Sequence, residues 1–146
     1  PVITTGKRDG SKIRLPNGNY LEETASYYVM IETKTGGYTP ALITMKSTQL
    51  NVSKKWNSMM KTIQIPDGKG GFAIPPMHGV VYNLSSTLQK NDKGSWYGWV
   101  VTQDRIMGQN DKALYLDAKS FAGNVSKGSV QTKADVEETS SDSTPY

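Results

Sequence analysis

Cysteine is absent from the 146 residues, and histidine occurs once, at position 78. The first absence removes thiol nucleophiles, thiolate zinc sites, iron–sulfur clusters and disulfide frameworks. The second removes histidine-rich metal centres. No apolar run approaches the roughly 18 residues that a membrane helix needs. The opening stretch, Pro1-Val2-Ile3-Thr4-Thr5-Gly6-Lys7-Arg8, is too polar for a secretory signal, so cytoplasmic residence is expected, in the host if the chain is viral. No nucleophile elbow G-x-S-x-G and no phosphate loop G-x-x-x-x-G-K-[ST] occurs. Carboxylates are sparse: Glu22, Glu23 and Glu32 sit among strand-forming residues, and Asp67, Asp92, Asp104 and Asp111 sit near turns, where Asp is ordinary. A lone imidazole such as His78 is more often a hydrogen-bonded loop residue than a base. The expectation is therefore no enzyme, no metal and no cofactor.

Charge and aromatics fill the space these absences leave. Seventeen bases against thirteen acids give a net +4, but the last twelve residues hold four acids and no base. The preceding 134 residues thus carry 17 bases against 9 acids, a net +8. A basic body with an acidic end points to a polyanion partner for the body and a tail that repels the same polyanion.

The chain divides into a basic arm over 1–19, one β-rich domain over 20–130 and an acidic, disordered tail over 131–146. The arm carries Lys7, Arg8, Lys12 and Arg14 before the turn Pro16-Asn17-Gly18-Asn19, and it either lies on nucleic acid or pairs as an edge strand. Residues 20–33 and 38–45 read as strands around the hairpin loop Lys34-Thr35-Gly36-Gly37. Residues 47–63 read as a helix, capped by Ser47 or Thr48, with Val52, Trp56, Met59, Met60 and Ile63 on one core face. Ile63–Ile65 and Phe72–Met77 flank the glycine-rich loop 66–71, and Pro75-Pro76 forbids a regular central strand there. Residues 79–88 and 95–103 form a second hairpin. Residues 111–127 form a second helix, capped by Asn110 or Asp111, ended by Gly128 and striped by Leu114, Ala118, Phe121 and Val125. The order implies a mainly β fold with two helices. A small barrel of the oligonucleotide-binding type is expected, the alternative being an open antiparallel α+β sheet covered by helices.

The constellation that carries chemistry is aromatic plus basic. Period-2 alternation sends Trp96 to one face of its strand and Tyr97 and Trp99 to the other, with Gly98 between them. One of these faces is exposed or lies under a helix. Exposed rings would stack on bases, at roughly 1–3 kcal/mol each. Lys54, Lys55, Lys93 and Arg105 would supply the field for phosphates, and Tyr82 a further ring.

A basic β-rich body with strand aromatics and an acidic tail ending Pro145-Tyr146 resembles the single-stranded DNA-binding proteins of bacteria and phages. Three stretches are also similar to small tailed-phage proteins encoded among replication and recombination genes: Ser47–Leu50 with Lys54-Lys55-Trp56, Lys93–Trp99, and Ala118–Phe121. The tail departs from the bacterial pattern, with spread acids and Tyr in place of Phe at the end. The resemblance implies a non-catalytic protein of phage replication or recombination that binds single-stranded DNA. Asp142, Pro145 and Tyr146 would recruit replication or recombination proteins, with self-association possible and no membrane partner. Two other functions compete: a virion structural or interaction protein, and an inhibitor of a host enzyme.

Overall fold

A computed structural model describes residues 6–10 and 12–129. Three short strands come first: β1 (Lys7–Asp9), β2 (Lys12–Arg14) and β3 (Tyr20–Glu22). They form one antiparallel sheet with β2 in the middle, so this part of the basic arm pairs as strand. Lys7 stands opposite Arg14, which stands opposite Tyr20; Asp9 stands opposite Lys12, which stands opposite Glu22. β4 (Thr24–Glu32) and β5 (Tyr38–Lys46) make a two-stranded ribbon, closed by Thr33, whose N–H donates to the Gly37 carbonyl at 2.8 Å. A 3₁₀ turn at Ser47–Gln49 leads into α1 (Leu50–Thr62). β6 (Ile65–Pro66) and β7 (Phe72–Ala73) form a minimal ribbon around the glycine-rich loop. β8 (Val80–Asn91) and β9 (Gly94–Ile106) form the longest ribbon, and α2 (Lys112–Ser126) follows.

The fold is mainly β with two helices, and its sheets are open antiparallel ribbons. None of them closes into a barrel among the described residues, so the open architecture is the one adopted. The physical reason is that β4, β5, β8 and β9 each find one partner only. The described residues fall into two compact units. The first holds residues up to Tyr27, then Ile43–Pro75 and Tyr82–Asp104; the second holds Tyr28–Leu42, Pro76–Val81 and residues from Arg105 on.

The first unit is built on Trp56. Its buried indole lies between the rings of Tyr27, with centroids 4.4 Å apart, and Tyr82, edge-on at 5.6 Å. Met45 is fully buried, with Ile43 and Ile63 nearly so. Of the helical stripe read from the sequence, Trp56 and Ile63 are buried and Val52, Met59 and Met60 half-buried, while Lys54, Lys55 and Lys61 are exposed. Polar bonds fix the register between β4 and α1. The Tyr27 hydroxyl donates to Asn57 Oδ1 at 2.9 Å, which leaves Ser53 Oγ to donate to Tyr27 at 2.7 Å. The helix start differs from expectation. Neither Ser47 nor Thr48 caps it; Ser47 takes a left-handed φ of +54° and the 3₁₀ turn satisfies the first turn instead.

In the second unit the 3₁₀ turn Met77–Gly79 packs on α2, with the His78 ring 5.3 Å from that of Tyr115. Gly79 is buried there, and a Cβ added to it would make ordinary contacts with Pro76 at 3.4 Å and Tyr115 at 3.5 Å. The α2 stripe is again the inward one, with Ala118 buried and Leu114, Phe121 and Val125 half-buried. Asp111 makes no side-chain cap bond to α2 itself; it reaches back to accept the Gly108 N–H at 3.1 Å. Gly128, at φ +70°, ends the helix with two bonds: Ser129 N–H to Asn124 O at 2.9 Å and Gly128 N–H to Val125 O at 3.0 Å.

Candidate nucleic-acid interface

The alternation of β9 separates its rings as its spacing predicts. Tyr97 is 74% exposed and Trp99 37%, on one face; Trp96 and Gly98 take the other. The two exposed rings stand two residues apart along a strand, about 7 Å.

The opposite face of β9 is held by two glutamines. Gln89 Oε1 accepts the Trp96 indole N–H at 3.0 Å, and Gln49 Oε1 accepts the Trp99 backbone N–H at 2.8 Å. Both side chains cross over Gly98, where a Cβ would come within 2.5 Å of Gln89 Nε2 and 2.9 Å of Gln49 Nε2. Glycine is thus the residue that lets both amides reach the strand. The Gln49 bond matters because Trp99 offers a strand-edge donor that would otherwise face water. It also ties the ring-bearing segment of β9 to the turn before α1.

Beside this lies a cleft of about 390 Å³, lined by Ser47, Thr48, Asn91, Lys93, Ser95 and Trp96 among others. Its lining thus combines three hydroxyl-bearing residues, one amide, one lysine and one indole. At the turn itself Asn91 Oδ1 accepts the Lys93 N–H at 2.8 Å.

The other expected contacts are placed as follows. Lys54 and Lys55 are exposed on α1. Tyr82 is half-buried; its ring is engaged by Trp56, its hydroxyl is buried with no hydrogen-bond partner among the described residues, and burial pushes its pKa up. Arg105 lies in the second unit, where its guanidinium donates to Asp111 Oδ1 at 3.0 Å. That bond, and then the Gly108 N–H, hold the Asp111 carboxyl below the usual range. His78 is packed on Tyr115, and its Nε2 is buried with no partner among the described residues. Asp142, Pro145 and Tyr146 lie outside the described residues.

Three exposed rings lie outside the contacts expected from the sequence: Tyr28 on β4, at 37%, and two in the first unit. Phe72 is 70% exposed at the end of the glycine-rich loop. In that loop Asp67 Oδ1 accepts the Lys69 and Gly71 N–H groups at 2.8 and 3.0 Å, which lowers its pKa. Tyr20 is 49% exposed, with Lys12 Nζ and Arg14 Cζ each 5.9 Å from its ring centre. Its signal was the period-2 spacing of Lys12 and Arg14 across the turn. Among the described residues no group of three metal-ligating side chains gathers, and no helix is long and apolar enough to cross a membrane.

The family described as Pam3 phage gp34-like protein matches residues 3–131. That is most of the chain, and the chain belongs to this family of phage proteins. No curated protein and no solved structure matches it.

Proposed function

We propose that this member of a phage family is a non-catalytic single-stranded DNA-binding protein of replication or recombination. The observation that carries the reading is the pair Tyr97 and Trp99, two rings exposed on one face of β9 while the other face is fixed by Gln49 and Gln89. Tyr97 stands largely in water and Trp99 about one-third so, side by side on a braced strand. Unpaired bases offer flat apolar faces to such rings, and stacking tolerates any sequence. Lys93 at the adjoining turn, Lys54 and Lys55 on α1 and the basic balance of residues 1–134 supply attraction for the phosphates. The acidic tail, through Asp142, Pro145 and Tyr146, is the segment we assign to partner proteins.

Anisotropy titration of labelled single- and double-stranded oligonucleotides at two salt concentrations tests this. The expected result is salt-weakened preference for single strands, with Trp99→Ala and Tyr97→Ala each losing about 1–3 kcal/mol of affinity. Flat titrations of the full chain with both strands would sink it.

One observation favours a second reading, an interaction protein that assembles with copies of itself. The ribbons β4–β5 and β8–β9 leave strand edges unpaired among the described residues, and Tyr28, Ile31, Leu42, Leu84 and Leu88 are exposed on them. Edges with apolar neighbours invite pairing. Sedimentation of the DNA-free protein separates the two: discrete oligomers without DNA affinity select assembly.

A further inference from the structure

The β1–β2–β3 sheet presents two rows of side chains on one face, and the rows differ in kind. Because facing residues in register share a face, Asp9, Lys12 and Glu22 form one row and Lys7, Arg14 and Tyr20 the next. The first row alternates in sign. Lys12 stands between two carboxylates, and Glu22 is also 3.7 Å from Lys46 Nζ. The second row has no acid. Lys7 and Arg14 face each other directly, an arrangement of like charges that costs stability in an antiparallel pair. Next to them stands Tyr20, its ring half in water, with the Arg14 guanidinium 5.9 Å from the ring centre.

The first row sets its one cation in register between two acids, and Lys12 Nζ also comes within 5.9 Å of the Tyr20 ring centre. The frustrated row is what a surface looks like when its counter-charge is external. We infer that Lys7, Arg14 and Tyr20 are a second contact for single-stranded nucleic acid, distinct from the β9 rings. Lys7 and Arg14 each take a backbone phosphate and Tyr20 takes a base on its open ring face. Phosphates between the two cations remove their mutual repulsion, so binding relieves a cost that the free protein carries. The guanidinium is suited to the task because it can hold a phosphate while lying against an aromatic ring. This inference rests on the single-stranded DNA reading but uses none of the residues that carry it.

The test is titration of a fluorescein-labelled oligothymidylate with the full chain at several salt concentrations. The Lys7→Gln/Arg14→Gln double variant should lower the slope of log affinity against log salt by about 1.4, since each lost phosphate contact on a single strand is worth about 0.7. Tyr20→Ala should weaken binding about tenfold or more, and Tyr20→Phe should bind like the parent. Lys7→Glu supplies a readout independent of affinity. It turns a like-charge pair into an opposite-charge pair, so the melting temperature should hold or rise while binding weakens. If the parent binds and Trp99→Ala weakens it, yet the double variant keeps the full slope and Tyr20→Ala keeps full affinity, the second contact is overturned and the β9 reading survives. If Lys7→Glu lowers the melting temperature, the row is structural and the inference falls. If the parent does not bind, both fall together.

Discussion

Tyr82 and His78 show how single buried polar atoms tune this protein. The Tyr82 hydroxyl is buried with no acceptor among the described residues, so it forfeits hydration without recovering a bond there. Tyr82→Phe removes that cost and leaves the contact with Trp56 intact; a stability gain of up to about 1 kcal/mol in urea unfolding is expected. A loss would mean that the hydroxyl is satisfied. His78 is a titrating counterpart. Burial first, and the Lys119 charge second, lower its pKa beneath the ordinary 6.5. The folded state therefore takes its proton later than the unfolded chain. Stability is full above the unfolded value and declines as pH falls below about 6.5, levelling off once the folded form also protonates. Replacing His78 by Gln should flatten that part of the melting-temperature profile; an unchanged profile would place the acid sensitivity elsewhere.

The turns and the strand β9 are set by glycines at the scale of elements. Gly98→Ala places a methyl group against two amide side chains that are already committed to β9. Freeing Gln49 exposes the Trp99 N–H, so a cost of about 1 kcal/mol is expected in thermal unfolding, together with weaker single-strand affinity. Gly128→Ala forces a side chain into φ +70° at the end of α2, at a cost of about 1 kcal/mol and with no effect on affinity. Much of this scale was legible in the sequence. Trp56 and Ala118 announced buried helix faces through their i, i+4 neighbours, and Tyr97 and Trp99 shared a face by parity alone. What stayed hidden depends on contacts distant in the chain. Parity put Tyr82 on a face but could not say that Trp56, 26 positions earlier, would meet it. Gln49 reaches β9 across 50 positions, and a glutamine before a helix carries no local mark of such a bond. The choice between a barrel and open ribbons turns on pairing between hairpins, which no local pattern encodes. The arm left strand and nucleic-acid contact both open because its three-residue strands offer one β-branched residue, Ile13, among Lys, Arg and Asp.

For the whole molecule the deciding quantity is the uneven charge. Ending the chain at Lys133 removes four acids and no base, which raises the net charge from +4 to +8. Single-strand affinity should rise, with the largest gain at low salt, where charges act over the longest range. Equal affinity of the two forms would show that the tail does not act on the binding surface. The two compact units carry a different consequence. Of the five places where the chain crosses between them, four lie within β4, β5, β8 and β9, and the fifth is at Pro75-Pro76. No single cut separates them, and any contiguous fragment that contains all of one also contains part of the other. A phage genome trading modules by recombination can pass this gene on whole, but it cannot graft half of it; protease nicking at a loop should likewise yield a nicked particle and not a surviving half.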